Sequence, residues 1–185
     1  MTNQKKQTGK KTPSYMPFLA GALAIAGIAL YYFLSRSPEP PVPEPVRPEM
    51  QQDLYTYQKE GVLSFHRTAE KNAPYKEIDI EISDENLERE VGLMFRTQMD
   101  PNTGMLFIFP YEDRQSFWMR NTRLSLDMLF INRDGKIVTI HKSTQINSDT
   151  SYPSTEPSQY VLEVVAGFTD THGVAVGDYI SYKRF

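Results

Sequence analysis

The sequence contains no cysteine. That excludes disulfides, thiolate metal sites, a cysteine nucleophile and a lipidated N-terminal cysteine. Histidine is scarce: His66, His141 and His172 are scattered and make no spaced ligand motif, so no metal is expected. There is no glycine-rich nucleotide loop and no serine in a nucleophile-elbow context. No cofactor is therefore expected. Basic charge is thin where a nucleic-acid binder would need it. The first 50 residues carry six basic and three acidic side chains, and the remaining 135 carry 14 and 20. An acidic domain of that size argues against a nucleic-acid partner.

Charge is also missing from Pro17 to Leu34, a run of 18 residues. As a helix at 1.5 Å per residue it would span about 27 Å, close to the hydrocarbon core of a bilayer. Lys5, Lys6, Lys10 and Lys11 precede it, whereas only Arg36 and Arg47 follow nearby. The positive-inside rule then places residues 1–16 in the cytoplasm as a basic tail, 17–34 across the membrane and the rest outside. The only small-x-small pattern after the run, Ser35-Arg36-Ser37, puts Pro38 directly after the cut, so an uncleaved anchor is expected. Six prolines between Ser37 and Pro48 exclude helix and central strand. Residues 35–50 read as an extended spacer, at about 3.1 Å per residue, that lifts a domain off the membrane.

Residues 51–185 read as one extracytoplasmic β domain. Gly61–His66 is a candidate strand, and Glu77-Ile-Asp-Ile-Glu-Ile82 alternates as a half-buried one. Ser83 offers an N-cap, and Leu87, Val91 and Met94 share a helical face, which predicts a helix over 84–95. Strands follow at 105–109, ending at Pro110, and at 116–119. Those at 127–131 and 136–140 flank the turn Asn132-Arg-Asp-Gly135. A long polar loop, 143–158, precedes strands at 160–165 and 179–182. The fold expected is mainly β, a compact sandwich or partly closed barrel with one short helix, behind a single transmembrane helix.

Gly92-Leu-Met94 with Arg96, Gly104-Met-Leu-Phe107, Phe117-Trp-Met119 and Asn121-Thr122 carry a family resemblance. So do Leu126-Asp127, Phe130, Asp134-Gly135, Tyr160-Val-Leu-Glu163, Gly167 and Gly177-Asp178. Over residues 76–183 the chain resembles the domain of unknown function 192 family, also called uncharacterised protein family 0127. The resemblance implies a small β-dominated fold, often behind a signal or anchor segment, and no reaction.

Two carboxylates lie within apolar strands, Asp127 and Glu163. A buried charge needs a partner or a proton. Together the two would suit general acid–base work on a glycan; separately each reads as a structural pair or a cap on backbone amides. Arg96 is among the available cations. Trp118, the only tryptophan, stands near Asn121, so ring stacking beside an amide would suit a sugar or peptide. Met94, Met99, Met105, Met119 and Met128 cluster in sequence but read as core filler. The reading is a membrane-anchored envelope protein with a modest pocket near Arg96, Trp118, Asn121, Asp127 and Glu163. That pocket would bind a small polar ligand or an envelope component. The alternatives are a carboxylate-dependent hydrolase of glycans or peptidoglycan, using Asp127 and Glu163 as catalytic residues, and an assembly factor without a pocket.

Overall fold

The computed structural model describes residues 56–185. The predicted anchor at 17–34 and spacer at 35–50 lie outside the described residues. Among the described residues no helix is long and apolar enough to cross a membrane. The elements run β1 (Gly61–His66), β2 (Lys76–Ser83), α1 (Asn86–Val91), β3 (Thr103–Asp113), β4 (Ser116–Phe117) and β5 (Leu126–Ile131). They continue with β6 (Ile137–His141), β7 (Tyr152–Pro153), β8 (Ser158–Val165), α2 (Phe168–His172) and β9 (Tyr179–Arg184).

Seven strands form one sheet in the order β6-β5-β8-β3-β2-β1-β9, and β4 and β7 form a two-stranded ribbon. Among the described strands only β2 and β3 pair in parallel; the connection between them carries α1. The sheet curls until its edge strands meet at a single antiparallel bridge, Lys136 to Tyr179. Around that bridge the Ile137 amide donates to the Asp178 carbonyl at 2.8 Å, and the Ile180 amide to the Gly135 carbonyl at 2.7 Å. The result is a partly closed barrel, one of the two shapes expected, rather than a sandwich.

Both faces of the central strands are buried: the apolar run at 105–109 requires it, and every residue of β5, Asp127 included, is buried as well. The concave side holds Leu63, Phe65, Ile80, Leu106, Leu129, Leu162 and Val164. The convex side holds Met105, Phe107, Met119, Leu126, Met128, Phe130 and Val161. Leu93, Phe117 and Tyr152, contributed by the segment after α1 and by the ribbon, cover that second face.

Several boundaries differ from expectation for identifiable reasons. The helix covers 86–91, not 84–95, because Gly92 takes φ +46° and turns the chain. A Cβ at Gly92 would meet the Phe107 ring at 3.0 Å, so the close approach needs glycine as well. Ser83 ends β2 instead of capping the helix; the Glu88 carboxylate takes the Asp84 and Glu85 amides there. Strand β3 continues past Pro110 to Asp113 across a register shift, the setting in which a strand tolerates proline. The loop 143–158 contains β7, paired with β4. A second helix, α2, follows Gly167, so the described residues hold two short helices where one was expected.

Candidate functional site

Register decides where the two carboxylates go. Along a strand, successive side chains point to opposite faces, and directly paired residues share a face. Asp127 pairs with Val164 and Met128 pairs with Glu163. Val164 belongs to the concave core and Met128 to the convex one. Asp127 and Glu163 therefore lie on opposite faces of the sheet, and the carboxylate pair that glycoside hydrolysis needs is not formed.

Asp127 is fully buried. Its Oδ1 accepts the Ser143 and Gly167 amides at 2.9 and 3.3 Å. Its Oδ2 accepts the Thr169 amide at 3.0 Å and the Thr169 hydroxyl at 2.7 Å. The helix α2 begins at Gly167, which has no side chain to cap it, so Asp127 receives its first amides from the neighbouring strand. With four donors converging on it, Asp127 is the strand-end carboxylate that ties α2 and the 143 turn to β5.

Glu163 is 5% exposed and, among the described residues, has no hydrogen-bond or salt-bridge partner. Burial alone pushes its carboxyl up to about 8. Met105 on β3 and Met128 on β5 flank it directly. It lines a cleft of about 370 Å³ on the convex face, whose other walls include Leu93, Met94, Phe107, Phe117 and Trp118. Phe117 meets Phe107 edge-on at 5.0 Å and Phe130 at 5.9 Å, which fixes this aromatic wall. Trp118 is 47% exposed and stacks against the Arg120 guanidinium at 3.9 Å, while Arg120 itself pairs with Asp149 at 2.7 Å.

Asn121 stands at the rim of the cleft. It takes φ +56°, its carbonyl accepts the Phe95 amide at 2.9 Å, and its side-chain nitrogen lies 3.9 Å from the Met94 sulfur. Phe95 also has positive φ, +64°, which is strained for a bulky residue. Two left-handed residues, Phe95 and Asn121, are thus joined by a backbone bond beside Met94, which lines the cleft.

Arg96 is placed elsewhere. It forms a buried ion pair with Glu81, Nη2 to Oε2 at 2.6 Å and Nη1 to Oε1 at 2.7 Å. Glu81 pairs across the sheet with Met105, and Met105 with Glu163. Two strand spacings, about 10 Å, thus separate the ion pair from Glu163. A larger hollow of about 720 Å³ lies beside Arg96, lined by Tyr57, Asp79, Glu81 and Asp100. Two of its carboxylates are matched by the Lys59–Asp79 and Arg96–Glu81 pairs, and Asp100 accepts the Asn102 amide at 2.7 Å. The smaller cleft, with its unmatched carboxyl, is the stronger candidate site.

Of the five residues singled out in the sequence, the structure brings Trp118 and Glu163 into one cleft and sets Asn121 at its edge. Arg96 and Asp127 fall outside it. Of the other walls, Phe117 stood beside Trp118 as an aromatic pair in the sequence, whereas Leu93, Met94 and Phe107 were not singled out as site residues. Glu81 sat in an alternating strand and read as solvent-facing, yet it is 5% exposed because the segment after α1 covers that end of β2.

The curled, partly closed barrel with its short helices defines a small, mainly β domain. The model of the domain of unknown function 192 family, described as uncharacterised ACR, matches residues 67–182, and the chain belongs to this family. An uncharacterised protein family 0127 member from Pyrococcus furiosus is 29% identical over 113 residues, covering 59% of this chain and 92% of the relative. A crystal structure from Sinorhizobium meliloti, described as a candidate transcription regulator, is similar with TM-score 0.62 and 37% identity. That match covers 69% of this chain and 98% of the other. A protein of unknown function from Novosphingobium aromaticivorans gives TM-score 0.60 and 28% identity, covering 65% and 83%.

Proposed function

We propose that this chain is a membrane-tethered envelope protein whose β domain binds a small ligand in the Trp118–Glu163 cleft. One observation carries the reading: Glu163 is buried, unpartnered and lines an open cleft. An unpaired buried carboxyl costs stability, and natural folds keep such groups where a partner arrives from outside. The walls ask for a compound with an apolar body and one polar group, a narrower class than the polar ligand expected from the sequence. The tether is supported by the uncharged run Pro17–Leu34, its four preceding lysines and the proline spacer.

The regulator role attached to the Sinorhizobium relative is not adopted for this chain. Residues 56–185 carry 14 basic and 19 acidic side chains, a poor match to a phosphate backbone. A hydrolase working through Asp127 and Glu163 loses its premise with the two groups on opposite faces.

The test is a thermal-shift panel of small compounds with one apolar body and neutral, cationic or anionic heads. Binding raises the melting temperature in proportion to ln(1 + [L]/Kd), and Trp118→Ala removes the rise. A flat response across the panel favours instead an assembly factor acting through its surface.

A further inference from the structure

Glu163 has the geometry of half an ion pair. Its two flanking cross-strand neighbours, Met105 and Met128, are apolar. The basic groups around it are all committed elsewhere. On α1, Arg89 bonds the Asp84 and Ile108 carbonyls and the Asn86 side chain. Glu90 is a second carboxylate lining the same cleft. Beyond Met105, Arg96 is held by Glu81; beyond Met128, the His141 Nε2 bonds the Pro153 carbonyl at 2.8 Å. At the rim Arg120 is held by Asp149 and Trp118. No described cation reaches Glu163. The walls facing it include the rings of Phe107, Phe117 and Trp118. Aromatic faces attract cations, and a carboxylate among them supplies the counter-charge.

Building on the binding role proposed above, we propose that the cleft takes a cationic amine with an apolar body, whose ammonium group sits against Glu163 and completes the pair. The alternative for a protonated carboxyl is a neutral amide, which would receive and donate a hydrogen bond without charge transfer. The two differ in proton linkage. In the free protein burial holds the proton on Glu163 up to about pH 8. An ammonium ion must displace that proton, whereas an amide needs it to stay. Amine affinity therefore rises about tenfold per pH unit from pH 6 to about 7.5 and levels off above 8. Amide affinity stays level over the same range and falls above 8.

Trp118 is the only tryptophan in the chain, so its fluorescence reports the cleft directly. The full chain is titrated with 2-phenylethylammonium and separately with 3-phenylpropanamide between pH 6 and pH 8.5, with calorimetry in two buffers of different ionisation enthalpy. The expected result is saturable binding of the amine, roughly one proton released per amine bound at pH 6.5, and a rising pH profile. Glu163→Gln is expected to flatten that profile and weaken amine binding about tenfold or more at pH 8. The proton count is read on the unaltered chain, so the test survives if the variant folds poorly. Amide binding without amine binding, or an amine profile that is flat in pH, overturns the cation proposal and leaves the cleft as a binding site. No saturable response to either probe at millimolar concentration overturns both.

Discussion

Asp127 and Glu163 are diagonal neighbours on adjacent strands, yet their side chains occupy opposite faces of the sheet. The same residue type thus meets two different environments. On the concave face four donors surround Asp127. On the convex face Glu163 meets methionines and aromatic rings. The first carboxylate is structural, and the second is the one the fold leaves unmatched.

That difference makes stability depend on pH through Glu163. Its folded carboxyl is raised to about 8 from an ordinary 4.5, so the folded state holds a proton the unfolded chain gives up. Its contribution is fully present below about pH 4.5 and is lost as pH rises towards 8. At about 1.4 kcal/mol per pH unit the loss is on the order of 4 kcal/mol over that window. Glu163→Gln, which cannot ionise, removes this slope. Urea melts from pH 5 to pH 8.5 should show the variant gaining on the wild type steadily with pH. A constant difference between the two would contradict the assignment.

Asp127 substitutions should behave in the opposite manner, costing stability without affecting the cleft. Asp127→Ala strands the Thr169 amide and hydroxyl and the Ser143 and Gly167 amides. Buried donors left unmatched cost about 1–3 kcal/mol each, partly relieved by water, so a loss of roughly 3–5 kcal/mol is expected. Thr169→Val removes one hydroxyl bond to a carboxylate and should cost about 1.5–3 kcal/mol. Denaturant midpoints measure both, and amide exchange should rise first in α2.

The fold was legible in the sequence where the hydrophobic period was unambiguous. The hairpin at Asn132–Gly135 formed as read: the Asn132 side chain accepts the Asp134 and Lys136 amides, and Gly135 takes φ +84°. The apolar run at 105–109 fits the burial of both faces of β3 there. What sequence alone lacked was strand order. Whether Asp127 and Glu163 share a face depends on which residue opposes which, and that register is set by pairing β5 with β8 across the intervening residues 132–157. Arg96 was read as a cation available to Asp127 or Glu163, but its partner is Glu81, in a strand that alternates as if half exposed. The ribbon at 152–153 and the helix at 168–172 are too short to leave a periodic signal.

The Arg96–Glu81 pair gives a sharp mutational contrast. Both side chains are nearly buried, at 9% and 6% exposure. Arg96→Met alone leaves Glu81 uncompensated and should cost about 3–5 kcal/mol. Arg96→Met with Glu81→Met replaces both charges by apolar groups and should recover most of that loss. A double variant as unstable as the single one would show that Arg96 acts chiefly through other contacts. Amine binding in the Trp118 cleft should be unchanged in a folded double variant, since Met105 separates the two sites.

The proposed tether rests on charge asymmetry, and that is open to direct manipulation. Lys5, Lys6, Lys10 and Lys11 lie before the uncharged run, and only Arg36 and Arg47 lie close after it. If these lysines set orientation, the full chain expressed in a Gram-negative host should fractionate with membranes. In intact spheroplasts, external protease should then digest the β domain. Replacing the four lysines with glutamine removes the bias, so part of the population should become protected. Deleting residues 1–34 should release the domain from the membrane fraction while leaving the Trp118 response to amines intact. A wild-type domain that resists protease in spheroplasts but is cut after lysis would reverse the orientation, and a full chain found in the soluble fraction would remove the tether altogether.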